Sequence, residues 1–249
     1  MNPVVTMPDH ARPGPACGAE IAESFLLTAP KDEKVYSASA LCSPETAQAL
    51  MEPLLRMYRG QDRAAVISIW SQWYFALWLA PWARINMLYD WQLPYLPHNI
   101  NFTQSENAVP DKFILADDGV ALPPGQGPAR FDDLVEEHLT PVCRTLSRLA
   151  GIKPGLFWNN AGIRLAHGFD MAKEHGADIT RVADWLSTRI LTNGLPNRLY
   201  QPMREIPQPE GPPKIIRRLC CLRYRLSGLE YCPGCPLVEA KQLKDARQL

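Results

Sequence analysis

The sequence predicts an α+β fold: a predominantly helical body with a small central β-hairpin or sheet, and a C-terminal lobe organised around four cysteines. Three observations lead there. Apolar residues recur at helical spacing between residues 43 and 191, in segments with their own caps and stops. Between residues 95 and 122 the pattern changes to that of strands around an Asp117-Asp118-Gly119 turn. Beyond a proline-rich stretch, Cys220, Cys221, Cys232 and Cys235 crowd together. The expected organisation is an irregular N-terminal extension over 1–40, a helical body over 41–205 and a cysteine segment over 206–249.

Composition narrows the partners. The 249 residues carry 26 Lys plus Arg against 26 Asp plus Glu, so no electrostatic bias favours nucleic acid, and none is expected as a partner. The first eighteen residues are rich in proline but lack the apolar core of a signal peptide, so nothing there directs export. In a reducing compartment, four clustered cysteines plus the scattered Cys17, Cys42 and Cys143 favour one metal site and three ordinary thiols over a disulfide framework.

In chain order, Glu20 to Thr28 and Lys34 to Ala40 read as short strands or a ragged helix. Ser43-Pro44-Glu45 starts the first clear helix, which runs to Gly60 with Pro53 expected to bend it. Asp62 caps a second helix that Pro81 is expected to stop. Residues 64–83 carry no charge, long enough to raise a membrane span. Ser68, Ser71 and Gln72 near its middle favour a buried core helix instead. Its aromatic series either packs the core or lines a ligand pocket. Tyr95 to Phe102 and Lys112 to Ala116 read as strands, with the Asp-Asp-Gly turn leading Val120 to Leu122 back as a hairpin. Three helices follow, starting near Asp132, at Pro154 and at Asp178, with Pro141 expected to bend the first. His138, His167 and His175 lack ligand spacing and read as surface or hydrogen-bonded histidines. Gln201 to Lys214 reads as a semi-rigid linker, and Pro236 to Gln248 as a short terminal helix.

The cysteines allow three chemistries. Cys232-Pro233-Gly234-Cys235 has the spacing of a thiol-disulfide exchange pair, but no βαβ unit surrounds it and two cysteines would stand idle. A structural zinc needs all four thiolates at one ion, which the spacerless Cys220-Cys221 pair makes difficult. A 2Fe-2S cluster distributes its ligands over two irons, so adjacent cysteines need not converge, and the direct pair tips the reading that way. From Pro212 onward there are eight basic and three acidic residues, among them Arg217, Arg218, Arg223 and Arg225. Such cations raise a cluster's potential or dock an acidic electron donor. A zinc-stapled binding module without redox activity is the alternative.

The Cys-Cys, ten-residue, Cys, two-residue, Cys pattern, with Arg218-Leu219-Cys220-Cys221-Leu222-Arg223-Tyr224 and Cys235-Pro236 around it, resembles the FhuF-like siderophore ferric-iron reductases. Ser68-Ile69-Trp70-Ser71-Gln72-Trp73-Tyr74-Phe75 and Leu156-Phe157-Trp158-Asn159-Asn160-Ala161 are similar as well. The resemblance implies one 2Fe-2S cluster per chain on Cys220, Cys221, Cys232 and Cys235, passing one electron to Fe(III) in an imported, typically hydroxamate, siderophore. It implies a cytoplasmic protein at or near the inner membrane face or a siderophore transporter. Electrons would come from a ferredoxin-like protein, a flavoprotein or a small reductant. For the siderophore pocket, the expectation is the face bearing Trp70, Trp73 and Tyr74 together with Trp158 and Asn159.

Overall fold

The uncharged run supplies the centre of the fold. In the computed structural model, which describes residues 15–123, 127–191, 193–208 and 210–240, it forms α3 (Arg63–Leu77) and α4 (Leu79–Tyr89). Asp62 caps α3 by accepting from the Ala65 N–H at 3.1 Å, satisfying one of the amides that a helix start leaves bare. Contrary to expectation, Pro81 does not end the helix. The break comes at Trp78, and Pro81 sits in the first turn of α4, where a missing N–H costs nothing. Among the described residues, no helix is long and apolar enough to cross a membrane.

Around this pair lie α1 (Pro15–Ser24), α2 (Pro44–Met57), α5 (Thr140–Ala150), α6 (Gly155–Glu174) and α7 (Thr180–Ser187). Helix α2 runs continuously through Pro53. Residues Leu134–Leu139 make a widened π turn into α5, closed by Thr140 N–H donating to Val135 O. Pro141, expected to bend this helix, sits in the first turn of α5. Gly151 ends α5 at φ 66°, a left-handed conformation that glycine adopts without steric cost. Helices α4 and α6 pack so closely that a Cβ on Gly168 would lie 2.4 Å from the Ala80 carbonyl.

A three-stranded antiparallel sheet, ordered β1-β3-β4, covers α3 with β1 (Val35–Ser37), β3 (Ile100–Gln104) and β4 (Pro110–Leu115). The Asp-Asp-Gly turn does not make the expected hairpin. It delivers β5 (Val120–Ala121) to β2 (Trp91–Gln92), not to β4. The core between sheet and helices is aromatic: Trp70 stacks on Tyr74 at 5.5 Å, and Tyr74 meets Phe102 and Phe113 edge-on. Burying each such ring contributes about 1.5–3 kcal/mol. The stretch expected as a linker is instead a second hairpin, β6 (Met203–Ile206) on β7 (Lys214–Arg217), so the expected boundary at 205/206 falls within β6. Residues 1–14, and the expected terminal helix beyond Ala240, lie outside the described residues.

Candidate metal centre

The cysteine segment leaves β7 and lies on α3 and α6, held by side chains that both helices turn toward it. Asn159 accepts from the Leu219 N–H at 3.1 Å and donates to the Pro202 carbonyl, joining the segment to the β6 end. Ser68 Oγ donates to the Cys221 carbonyl at 2.8 Å. Asn160 donates to Ser68 Oγ and Ser71 Oγ at 3.2 and 2.9 Å, and accepts from the Arg217 guanidinium. Arg217 also reaches Gln72 Oε1 at 2.9 Å. Farther along, Arg225 pairs with Asp62 at 2.8 Å, and Gln61 accepts from the Ser227 N–H at 2.8 Å. Ser68, Ser71, Asn159 and Asn160 are all buried. Their polarity is tolerable there because each group finds a partner.

The second cysteine pair is set by a turn seated on β7. Gly234 has φ 66°, its carbonyl accepts from Arg217 N–H at 3.0 Å, and a Cβ on it would come 3.2 Å from Ile215 O. Only a glycine fits both the backbone angle and the approach. Leu222, just after the first pair, also takes a left-handed conformation, which turns the chain so that its N–H donates to Cys220 Sγ at 3.4 Å.

The four thiols lie together. Cys221 Sγ and Cys232 Sγ are 3.5 Å apart, Cys220 feels the charge of Cys235 and Cys221, and Cys232 that of Cys221 and Cys235. Cys221 and Cys235 are buried, Cys220 and Cys232 partly so. Among the described residues, no three of these or other His, Cys, Asp or Glu side chains converge on one point suited to a single ion. A two-iron cluster asks for two thiolates at each iron, whereas a structural zinc asks for four at one centre. Four thiols grouped in this way are the donor set that a two-iron cluster would need, two for each iron.

The surroundings favour thiolate at Cys221. The hydrogen bond from Cys232, the charge of Arg217 and backbone N–H groups of Arg223 and Cys221 itself push the Cys221 thiol down to about 5, against the effect of burial. Cys232, as the donor in that bond, is pushed up. Burial raises Cys220. By contrast, burial leads at the buried Cys143 and Cys17 thiols, raising Cys17 to about 11 and holding both protonated. Cys42 is exposed.

Residues 68–206, more than half of the chain, match the family profile described as ferric iron reductase FhuF-like transporter. This chain belongs to that family. Residues 217–237 match the profile of the FhuF 2Fe-2S C-terminal domain, so the cofactor is a 2Fe-2S cluster. The chain is also 25% identical over 230 residues to the ferric siderophore reductase of Escherichia coli (strain K12), a match spanning 87% of this chain and 85% of that protein. Among solved structures, the aerobactin synthetase IucC from a hypervirulent pathotype of Klebsiella pneumoniae is similar at a TM-score of 0.49 and 15% identity, over 72% of this chain and 38% of that one. So slight a likeness carries no argument.

As a FhuF-like family member, the chain departs from the pocket that its sequence suggested. Trp70 and Tyr74 are core residues with no exposed surface, because they face the sheet and stack on each other. Trp158 is buried under the Arg198 guanidinium, 5.4 Å from its ring centroid, and Asn159 is committed to the cysteine segment. Only Trp73 is open, with 49% of its surface exposed. Of the basic residues, Arg217 lies behind the thiols, Arg225 holds Asp62, and Arg218 donates to the Tyr200 carbonyl and lies over its ring. Arg223 lines a cleft beside Trp73. Ser68, Gln72 and Asn160 were missed as site residues, although polar groups inside apolar helices were the available signal. His138 is fully buried: its Nδ1–H donates to Tyr95 O at 2.6 Å and its Nε2 accepts from Tyr74 OH at 2.9 Å.

Proposed function

We propose that this chain reduces Fe(III) carried by an imported hydroxamate siderophore by one electron and releases Fe(II) in the cytoplasm. The observation that carries this reading is the grouping of four thiols on a bed of buried amides and hydroxyls, beside the Arg217 guanidinium. A 2Fe-2S cluster held by Cys220, Cys221, Cys232 and Cys235 supplies one-electron transfer. The chain's own part is to fix the four ligands, to offset their negative charge with Arg217 and backbone N–H groups, and to present one edge of the segment to a docked complex. Hard hydroxamate oxygens hold Fe(III) far more tightly than Fe(II), so one electron makes the metal labile and leaves the ligand intact. The electron comes from an external donor: a ferredoxin-like protein, a flavoprotein or a small reductant. Contact with the inner membrane face or with a siderophore transporter would place the protein where the complex enters.

The test is direct. Purified protein is expected to be red-brown and to give an EPR signal on reduction by dithionite. Mixed with a ferric trihydroxamate, the reduced protein should lose that signal while ferrozine captures Fe(II). Colourless protein with one stoichiometric zinc, or a reduced signal indifferent to every ferric complex, would overturn the reading.

A further inference from the structure

A cleft of about 420 Å³ opens beside the first cysteine pair, lined in part by Gln72, Trp73, Ala76, Arg164, Arg223 and Leu229. Trp73 is shared with an adjoining apolar cleft of about 260 Å³ that includes Met57 and Leu226. The two form a groove with an aromatic ridge between a cationic end and an apolar end.

The cationic end lacks carboxylates. Arg164 is partly buried and close enough to Arg217 to feel its charge. The Nε of Arg223 is buried with no hydrogen-bond partner. Among the described residues neither Arg164 nor Arg223 takes part in an ion pair and no Asp or Glu lines the cleft, whereas Arg217 is already committed to Asn160 and Gln72. Crowded, partly desolvated cations without carboxylates are costly, and an arriving anion relieves the cost. The groove also touches the redox site. Arg223 lies two residues after Cys221, and Gln72 on the cleft wall holds Arg217, whose charge Cys221 feels.

We propose that this groove binds a net-anionic ferric hydroxamate complex, one with free carboxylates, which pair with Arg164 and Arg223 while the ligand's apolar backbone lies along Trp73. This rests on the siderophore-reductase reading above and adds a charge preference to it. A neutral complex leaves the arginine crowding unrelieved, and a cationic one adds to it, so the same site that attracts the anion rejects the others.

The experiment separates the two claims. Full-length cluster-loaded protein, oxidised, is titrated by calorimetry with gallium(III) complexes that cannot be reduced: an anionic citrate-dihydroxamate, a neutral cyclic trihydroxamate and a cationic linear trihydroxamate. The anionic complex is expected to bind at least about tenfold tighter than the other two. Arg164→Gln and Arg223→Gln should each weaken it about tenfold, the loss of one charge-assisted bond, with little change for the neutral complex. Arg164→Lys, which keeps the charge, should preserve the order. Equal binding of all three complexes, binding of none, or wild-type affinity in both glutamine variants overturns the inference. Ferrozine capture from the corresponding ferric complexes with reduced protein then tests the reductase reading on its own. Fe(II) released without charge preference leaves that reading standing and removes this one. Selective binding with no Fe(II) from any complex does the reverse.

Discussion

Replacing Ser68 with alanine removes a single oxygen from the bed beneath the cysteines. That oxygen is wholly buried, donates to the Cys221 carbonyl at 2.8 Å and accepts from Asn160. Asn160 keeps Ser71 Oγ at 2.9 Å and the Ser68 carbonyl at 3.3 Å, so little of the penalty falls there. The Cys221 carbonyl loses this partner, and an unsatisfied buried acceptor costs about 1–3 kcal/mol. Because the bond ties the segment to α3, the loss favours local detachment of the ligands as well as global unfolding. A cost near 2 kcal/mol raises the detached population about thirtyfold. The assay is the bleaching of visible absorption by an iron chelator, with the urea midpoint measured alongside. Ser71→Ala is the control: its hydroxyl donates to the Ser68 carbonyl within α3 and does not touch the segment. It should lower the midpoint without speeding bleaching. Unchanged bleaching in Ser68→Ala, or equal acceleration in Ser71→Ala, would refute the role given to this contact.

Cys232→Ser should abolish the visible absorption and the EPR signal. Cys143→Ser, which buries a hydroxyl in α5, should cost about 1–2 kcal/mol in the urea midpoint yet keep the colour; loss of colour in both would contradict the ligand set. His138, neutral in the fold, has its pKa pushed by burial down to about 4 from the ordinary 6.5. Above pH 6.5 its contribution is constant; as pH falls toward 4 the unfolded chain takes up a proton that the fold refuses, and stability drops by about 3 kcal/mol in all. Urea midpoints across that window should show the decline, and His138→Phe should flatten it. Gly234→Ala forces a left-handed angle on a residue with a Cβ and presses it toward Ile215 O; a loss of about 1–2 kcal/mol with reduced cluster content is expected, and an unperturbed EPR spectrum at full occupancy would count against the turn's role.

What could be read from the sequence was what local chemistry decides. The Asp62 cap, the glycine stop at Gly151 and the cluster of four cysteines each declare themselves within a few residues. Pro81 misled because a proline bars only N–H donation, and in the first turn of a helix no bond is asked of it. The β2 and β5 strands are two residues each, and their pairing is decided by tertiary contacts that no local pattern carries. Trp70 and Tyr74 were ambiguous in kind: an aromatic run serves a core or a pocket, and the choice depends on which face meets the sheet. Ser68 and Gln72 were visible as polar interruptions in an apolar run. Their use as a bed for Cys221 and Arg217, which lie more than a hundred residues onward, was not.

That long separation bears on how the protein matures in the cell. Helices α3 and α6 both precede the cysteines in the chain, and α4 packs between them in sequence through the close approach at Gly168. During synthesis from the N-terminus, the helical bed is complete before Cys220, the first of the four clustered cysteines, emerges. The thiols then arrive on a surface already carrying their hydrogen-bond partners. Loading of iron and sulfide becomes a late step on a folded body, and a chain that fails to receive its cluster keeps its core and remains available for another attempt.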